Sequence, residues 1–422
     1  MYKKNKLNNG LKIITNSMPD KQSVALGVWI KIGGRYENAQ NKGISHYLEH
    51  LLFKGTKKYS CRKLKESIEG VGGSLNGFTS EEVTCYLVKL PHKYLELGLD
   101  ILADMVINPL IPEVEVEKER TVILEELKMY KDLPQSYVYD LLDELLWPNQ
   151  IMGLSVIGSV ETVNSIKQQD LFNYQKLHYT PRNIVVSAAG CLGHDKLAKR
   201  IDKIFSRLAL GDVNNFIAAQ EQAQGAQLKL LDKATEQTHL ALGFNSFKRE
   251  DPLKYAQALL HIILGGNMSS RLFNEVREEK GLAYEIGTQV KRFQDTGAFL
   301  VHAGIDNNKV TSAIPVILKE LEKIKGELVS LDEFKRAKEF YLGQIELALE
   351  DTMDQMLFIG ESTTLLDKTY SLKDIIKEVR AVSRKDIQVA ARRIFEERKI
   401  NLAIIGPLAS QQAEIAKILC IK

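Results

Sequence analysis

The sequence has few cysteines, no long apolar run and no signal segment. Its cysteines are widely spaced and form no Cys-x-x-Cys pair, which argues against a disulfide scaffold and favours reduced, buried thiols. They are Cys61, Cys85, Cys191 and Cys420. The sequence contains no run of about 18 apolar residues, so no membrane span is predicted. The start, MYKKNKLNNGLKIIT, has neither an apolar signal core nor the Arg and Ser of a transit peptide. These absences predict a cytoplasmic bacterial protein and favour it over a protein of the mitochondrial matrix.

An excess of one charge is also lacking. The 57 Lys and Arg are scattered among 54 Asp and Glu, and the formal net charge is only +3. This balance argues against a nucleic-acid partner. A hydrophobic content of 44% and a charged content of 26% describe an ordinary globular protein. At 422 residues the chain is expected to form two or three domains.

Histidine is rare, yet two of the eight histidines lie four residues apart in His46-Tyr-Leu-Glu49-His50. In a helix this spacing puts both imidazoles on one face, where they can reach one metal ion. Glu49 projects from nearly the same face and could activate a water at the metal. The order His-x-x-Glu-His is the inverzincin signature. The alternative at this point is a solvated helix that carries these residues by chance.

The surrounding sequence predicts the helix itself. Gly55 follows it as a residue that stops helices. An apolar stripe on the helix consists of Ile44, Leu48, Leu51 and Leu52.

A second helix is predicted from Pro112 to Lys131 and offers a third metal ligand. Catalytic zinc takes three protein ligands and leaves a position for water. Glu119 and Glu126 are seven residues apart and share one stripe. The adjoining apolar stripe consists of Val116, Ile123, Leu127 and Tyr130. Periodicity alone does not choose between Glu125 and Glu126 as the inward carboxylate.

These motifs together resemble the pitrilysin and insulinase class of zinc metallopeptidases. The resemblance rests on HYLEH, LLFKGT, GVGGSLNGFTSEEVTCY and EVEKERTVILEEL, and it covers essentially the whole chain. Within the class, the chain is most similar to the branch of the mitochondrial processing peptidase β subunit. The resemblance implies one Zn²⁺ per chain, bound by His46, His50 and Glu126. It also implies that Glu49 is the catalytic base and that Glu119 orients a ligating histidine.

The chain repeats itself at a constant spacing. Residues 166–190 align without a gap to residues 382–406, each a helix followed by a short strand ending in Gly. LGVWIKIGGRYEN likewise resembles LALGFNSFKRED. We therefore expect an α+β fold of two homologous domains, each a mainly antiparallel sheet packed with helices, that form half of a clamshell. The predicted division is a zinc-binding catalytic domain at 1–210, a linker at 211–228 and a duplicated domain without metal at 229–422.

The second half is predicted to supply substrate-binding surface. Its stretch KYAQALLHIILGGN has His261 without a second ligand, which favours a helix-face or core histidine. The resemblance implies that Arg277 and Tyr284 approach the substrate carbonyl at the zinc of a partner chain. A homodimer, or a heterodimer with an inactive homologue, would then complete the site. The alternative is a surface ion pair of Arg277 with Glu278 or Glu275.

Two further regions are candidates for substrate binding. The resemblance implies that a peptide adds as an extra strand along Gly73, Asn76, Gly77 and Phe78. The alternative is a hairpin with an Asn-Gly turn. Processing peptidases carry two acidic residues that receive a substrate arginine, and here the two positions are Ser136 and Asp140. Because only the aspartate is present, we expect a broader preference for basic or mixed peptides.

The predicted function is a zinc endopeptidase that acts on extended, unfolded peptides or presequence-like segments. The alternative is a catalytically silent subunit that serves as a structural partner in a processing-peptidase-like heterodimer. Such silent relatives lose His or Glu from the motif. Retention of His46, Glu49, His50 and Glu126 therefore favours activity.

Overall fold

The protein, described here by a computed structural model over residues 2–221 and 225–419, has two sheets packed with helices. The chain divides into two compact units, and neither is continuous in sequence. The first consists of Met1–Leu127, Ser155–Ile217 and Ile345–Leu372, and the second of Lys128–Leu154, Ala218–Gln344 and Lys373–Lys422. Residues 222–224 of the predicted linker, and Cys420, lie outside the described residues.

The first sheet has six strands in the order β1-β2-β6-β3-β5-β4. They are β1 (Tyr2–Lys6), β2 (Lys12–Ser17), β3 (Ser23–Ile30), β4 (Ser74–Thr79), β5 (Thr84–Pro91) and β6 (Ile184–Gly190). Only β2 and β6 pair in parallel; the other neighbours are antiparallel. Every residue of β6 is buried, as is typical of a strand covered on both faces. By contrast, β4 is an edge strand.

The second sheet has five strands in the order β7-β11-β8-β10-β9. They are β7 (Gln227–Asp232), β8 (Gln237–Asn245), β9 (Ala283–Arg292), β10 (Gly297–Asp306) and β11 (Asn401–Gly406). Again one pair, β7 with β11, is parallel and the others are antiparallel. This order matches that of β2, β6, β3, β5 and β4. The predicted α+β fold of two similar halves is therefore confirmed.

Fifteen α-helices of the described residues surround these sheets. The first eight are α1 (Ile44–Leu52), α2 (Cys61–Glu69), α3 (Leu95–Ile107), α4 (Glu113–Asp132), α5 (Pro134–Leu146), α6 (Val160–Ser165), α7 (Gln168–His178) and α8 (His194–Phe205). The others are α9 (Lys254–Leu264), α10 (Val310–Gly326), α11 (Leu331–Ala348), α12 (Thr352–Leu366), α13 (Leu372–Ala381), α14 (Arg384–Ile394) and α15 (Gln412–Ile418).

The predicted repeat holds at atomic detail in α7 and α14. The two helices have the same length, and both ends keep the spacing of the repeat. Asp170 in α7 accepts a hydrogen bond from the backbone N–H of Lys167 at 2.9 Å. Asp386 in α14 accepts one from the backbone N–H of Ser383 at 2.8 Å. The same local capping interaction therefore begins the same helix in each half.

Each sheet is also covered by a helix from the opposite half of the sequence. Met356, Ile359 and Leu365 of α12 pack in one core with β3 and β5 of the first sheet. A Cβ on Gly360 would lie 2.1 Å from Nε1 of Trp29, so this close approach requires glycine. In the same way, Leu142 of α5 packs in a core with β8, β10 and β11 of the second sheet. Each of these two helices thus lies in one predicted domain by sequence but packs on the sheet of the other. The predicted boundary at 211–228 is based only on the repeat and on the composition of the linker.

Several local predictions can be compared directly with the structure. The apolar stripe of α1 is buried as predicted. In α4, Val116, Ile123 and Leu127 are buried, but Tyr130 is 38% exposed, because it lies in the last turn of the helix. No disulfide joins the described cysteines. Cys85 is buried, whereas Cys61 and Cys191 are only half-buried, so the prediction of buried thiols is wrong for these two. Within the described residues, no helix combines the length and apolarity needed to cross a membrane.

Candidate metal centre

The helix that carries the His-x-x-Glu-His motif is held at its start by a buried carboxylate. Its N-cap, Gly43, has φ 97° and offers no side chain to bind the free N–H groups of the first turn. Glu37 takes this role, since its carboxylate accepts from the backbone N–H of Gly43 at 2.9 Å and of Ser45 at 2.8 Å. Burial raises the pKa of Glu37, opposed by Lys42 and by these hydrogen bonds. The position of α1 is thereby fixed one residue before His46.

Direct contacts tie α1 to α4, which carries the distant glutamates. The hydroxyl of Tyr47 donates to the carbonyl of Val116 at 2.5 Å. Nδ1 of His50 lies 3.1 Å from Oε2 of Glu119, and Nζ of Lys54 lies 2.5 Å from Oε1 of the same glutamate. Both helices are therefore fastened together immediately beside the motif.

Three side chains converge where α1 faces α4. Nε2 of His46 and Nε2 of His50 each lie 3.7 Å from Oε2 of Glu126. Donor atoms of the three residues lie within 4.8 Å of one another, and no other such group of three occurs among the described residues. Both separations from Oε2 are long for a hydrogen bond. Two ligands about 2.1 Å from one tetrahedral ion would lie roughly 3.4 Å apart. The geometry and the donor types both suit zinc.

The electrostatics also suit a cation. Burial, reinforced by the charge of His50, lowers the pKa of His46 to about 3, so its imidazole is neutral and keeps a lone pair. Burial raises the pKa of Glu126, opposed by His50. Nδ1 of His46 is buried and has no hydrogen-bond partner among the described residues. Glu125, the alternative third ligand, is exposed. The choice that periodicity left open thus falls on Glu126.

Glu49 is 9% exposed and lies between the two histidines in sequence. Its Oε2 accepts a hydrogen bond from Oγ1 of Thr79 at 2.8 Å. Burial raises the pKa of Glu49, opposed by the Thr79 hydroxyl and by His50. A carboxylate with a raised pKa can accept a proton and return it.

Glu119 is 5% exposed and is held from two sides. Burial by itself would raise its pKa, but the hydrogen bonds from His50 and Lys54 outweigh burial and lower it. An ionised Glu119 can accept Nδ1–H of His50, which leaves the Nε2 lone pair for a metal. The orienting role of Glu119 stays a prediction.

Sequence reasoning missed three residues of this centre. Thr79 and Glu37 act from other elements, and no local pattern marks them. Lys54 could have been found, because it lies four residues after His50 on the same face.

The predicted substrate strand is an edge strand. Strand β4 begins directly after Gly73 and contains Asn76, Gly77 and Phe78. The alternative of an Asn-Gly hairpin turn is wrong: the turn between β4 and β5 is closed by Ser80 N–H and the carbonyl of Val83 at 2.9 Å. Within the described residues β4 pairs with β5 on one side only. A Cβ on Gly77 would lie 3.2 Å from Oε1 of Glu49, so the strand passes beside this carboxylate.

The remaining predicted site residues belong to the second unit. Arg277 lies on a π-helical turn at Phe273–Glu279, and its Cζ is 5.7 Å from the ring centre of Tyr284. Its Nε lies 3.8 Å from Glu278, so the predicted surface pair is also present. Tyr284 is 73% exposed. Asp140 lies on α5.

The single histidine of α9 is bound within its own unit. Nδ1 of His261 lies 2.7 Å from Oγ1 of Thr288. Its contacts are those of a helix-face histidine, as predicted.

Comparison with known proteins agrees with this architecture. Residues 12–160 match the family model "Insulinase (Peptidase family M16)", and residues 165–341 match "Peptidase M16 inactive domain". A Bacillus subtilis protein named "Uncharacterized zinc protease YmxG" is 36% identical over 408 residues, which cover 96% of this chain and 98% of that protein. A zinc protease of Rickettsia felis is 32% identical over 403 residues, covering 95% and 97%.

A solved structure shares the fold. A protease from Helicobacter pylori superposes with a TM-score of 0.91 at 23% identity, covering 96% of this chain and 99% of that one. The two proteins thus share one fold. With the sequence relatives, it follows that the chain belongs to peptidase family M16, the insulinase family.

Proposed function

We propose that the protein is a zinc-dependent endopeptidase with one zinc site per chain. The observation that carries this proposal is the convergence of His46, His50 and Glu126 beside the buried Glu49. Relatives named zinc proteases, which match over nearly their whole length, support it. Zinc bound there would polarise the scissile carbonyl and acidify a water molecule.

The protein's own residues would handle the proton and the geometry. Glu49 takes a proton from the attacking water and delivers it to the leaving amine nitrogen. Glu119 holds Nδ1–H of His50 and so fixes the direction of its Nε2 lone pair. Lys54 keeps Glu119 ionised through the 2.5 Å contact.

The proposed substrates are extended, unfolded peptides, including presequence-like segments. The edge strand β4 passes beside Glu49, and pairing of a peptide with its backbone would depend on an extended conformation rather than on particular side chains. With Asp140 as the lone acidic candidate for a substrate arginine, we propose a broad preference for basic or mixed peptides. The cytoplasmic location predicted from the sequence stays a prediction.

Cleavage of a basic, unstructured peptide tests this function, with zinc content measured on the same samples. We expect the wild type to cleave, and Glu49→Gln to retain zinc without turnover, because the amide cannot accept the proton. If both proteins hold zinc and neither cleaves a varied peptide set, the silent partner subunit becomes the better proposal. If neither holds zinc, the proposed centre is wrong.

We further propose that two chains complete each other's sites, with Arg277 and Tyr284 acting in trans on the substrate carbonyl. Arg277 and the exposed Tyr284 ring lie together, which supports a joint role. The test mixes Glu49→Gln with the double variant Arg277→Ala/Tyr284→Phe, each inactive alone. In a random mixture of homodimers about a quarter of wild-type activity should return, since half the dimers gain one intact site. Action within one chain would return none.

A further inference from the structure

The two carboxylate oxygens of Glu49 have different surroundings. Oε2 accepts the hydroxyl of Thr79 at 2.8 Å. Oε1 has no hydrogen-bond donor among the described residues and faces Gly77, where an added Cβ would lie 3.2 Å away. One oxygen is therefore anchored, and the other borders the edge strand.

The backbone around Thr79 is itself held in place. Thr79 is the last residue of β4 and pairs with Thr84 of β5. The next residue, Ser80, donates its N–H to the carbonyl of Val83 at 2.9 Å, and its hydroxyl reaches the same carbonyl at 3.1 Å. Threonine is also stiff about χ1, because its Cβ is branched. The hydroxyl of Thr79 is thus a fixed donor.

Resting on the proposed function, we propose that Thr79 is a positioning residue that anchors Oε2 of Glu49 and leaves Oε1 as the proton-accepting oxygen. An O–H bond of water breaks, and the proton goes to Oε1. The electron pair stays on the water oxygen and forms the new bond to the carbonyl carbon, while the π pair of the C=O bond moves to the carbonyl oxygen. That pair then re-forms the C=O bond as the C–N bond breaks, the C–N pair leaves with the nitrogen, and the proton moves from Oε1 to the nitrogen. The proton of Thr79 stays on its own oxygen throughout.

The anchor also joins two parts of the site. Thr79 belongs to the strand proposed to pair with the peptide, and its side chain binds the group proposed to move the proton. The proposed docking strand and the proposed base are therefore held in a fixed relation. Gly77 adds no side chain of its own beside Oε1, where the ring of Phe53 also lies, 3.0 Å from an added Cβ.

Replacing the hydroxyl tests this proposal. Thr79→Val keeps the branched shape and removes the donor, whereas Thr79→Ser keeps the donor. We measure kcat, KM, zinc content and thermal unfolding for both on the same peptide as the wild type. Thr79→Val should lower kcat about 10- to 100-fold, the value of one hydrogen bond to a charged group, with little change in KM or zinc content. Its unfolding temperature should fall somewhat, because Oε2 of the buried Glu49 loses its donor. Thr79→Ser should restore most of kcat.

A second variant separates shape from hydrogen bonding. Thr79→Ala should lose as much kcat as Thr79→Val, so the result does not depend on how one of them packs. A wild-type kcat in Thr79→Val, or equal losses in Thr79→Ser and Thr79→Val, overturns the positioning role. With an active wild type and an inactive Glu49→Gln, that outcome leaves the proposed function intact. An inactive wild type overturns both.

Discussion

Helices α1 and α9 occupy equivalent places in the two halves, since α1 is the first α-helix after β3 and α9 is the first after β8. Their polar side chains differ in their hydrogen-bond partners. In α9, Gln257 donates to the Ser246 hydroxyl at 2.7 Å, and His261 lies 2.7 Å from the Thr288 hydroxyl. The amide nitrogen of Gln257 and Nδ1 of His261 thus each have a hydroxyl partner, whereas Oε1 of Gln257 has none among the described residues. In α1, His46 and His50 turn their Nε2 atoms toward one carboxylate oxygen of Glu126 at 3.7 Å.

The histidine of α9 is therefore used in packing, whereas the two histidines of α1 are arranged as candidate metal ligands. Buried polar groups without hydrogen bonds cost stability, and the interior of a protein usually pairs them. The histidine of α9 follows that rule through Thr288. The first unit holds three donor atoms close together without pairing them, and a shared cation would supply the missing partner.

Removing a ligand should have the largest effect. We expect His50→Ala to lose the bound zinc and, with it, all hydrolysis, because two protein ligands no longer enclose the ion. Metal content and turnover measured together provide the check. The matched control is His261→Ala in α9, which should keep both. Loss of zinc in the control would break the comparison between the two helices.

An intermediate effect is expected at the carboxylate that holds His50. Glu119→Gln keeps the shape of the side chain but loses the charge that binds Nδ1–H and Lys54. We expect about a 10- to 100-fold loss of zinc affinity or activity. Competition with a chelator measures the affinity. Glu125→Gln, on the exposed side of the same helix, serves as control. An unchanged affinity in Glu119→Gln would contradict the orienting role.

The smallest effect concerns pH and the second unit. Burial, with Arg292 and His302 nearby, lowers the pKa of His261 to about 4. Because the folded-state pKa lies below the unfolded value, His261 supports stability above about pH 6.5 and loses that support as the pH falls toward 4. Between about pH 7 and pH 5 the loss is up to about 2 kcal/mol.

Urea unfolding of the wild type and of His261→Gln measures this loss. Glutamine can still contact Thr288 and does not titrate. Its unfolding midpoint should therefore fall less between the two pH values than that of the wild type. Equal falls would show that His261 does not titrate on unfolding.

Some of this molecule could be predicted from sequence because the information is local. The spacing of His46, Glu49 and His50 fixes their common face within one helix, and Asp170 and Asp386 mark the same capped helix in each half. Periodicity alone did not choose between Glu125 and Glu126, because that choice depends on the rotation of α4 against α1; the family resemblance implied Glu126. Thr79 is 30 residues from Glu49, and nothing local signals that contact.

Other features depend on which surfaces meet. The Asn-Gly step reads as a turn by itself, but pairing with β5 makes it part of a strand. Helices α5 and α12 each cover a sheet built mainly from the other half of the sequence, and no local pattern indicates which sheet each helix covers. Tertiary packing decides both.

The placement of α12 bears on how the chain is made. The last strand of the first sheet, β6, ends at Gly190, whereas α12 begins only at Thr352. At about 5–20 residues per second, the ribosome needs roughly 8 to 32 s to bridge that interval. Until then the face around Trp29 and Cys85 lacks its helical cover. A nascent chain stalled before Thr352 should therefore expose this face to chaperones, although its His-x-x-Glu-His helix was translated long before.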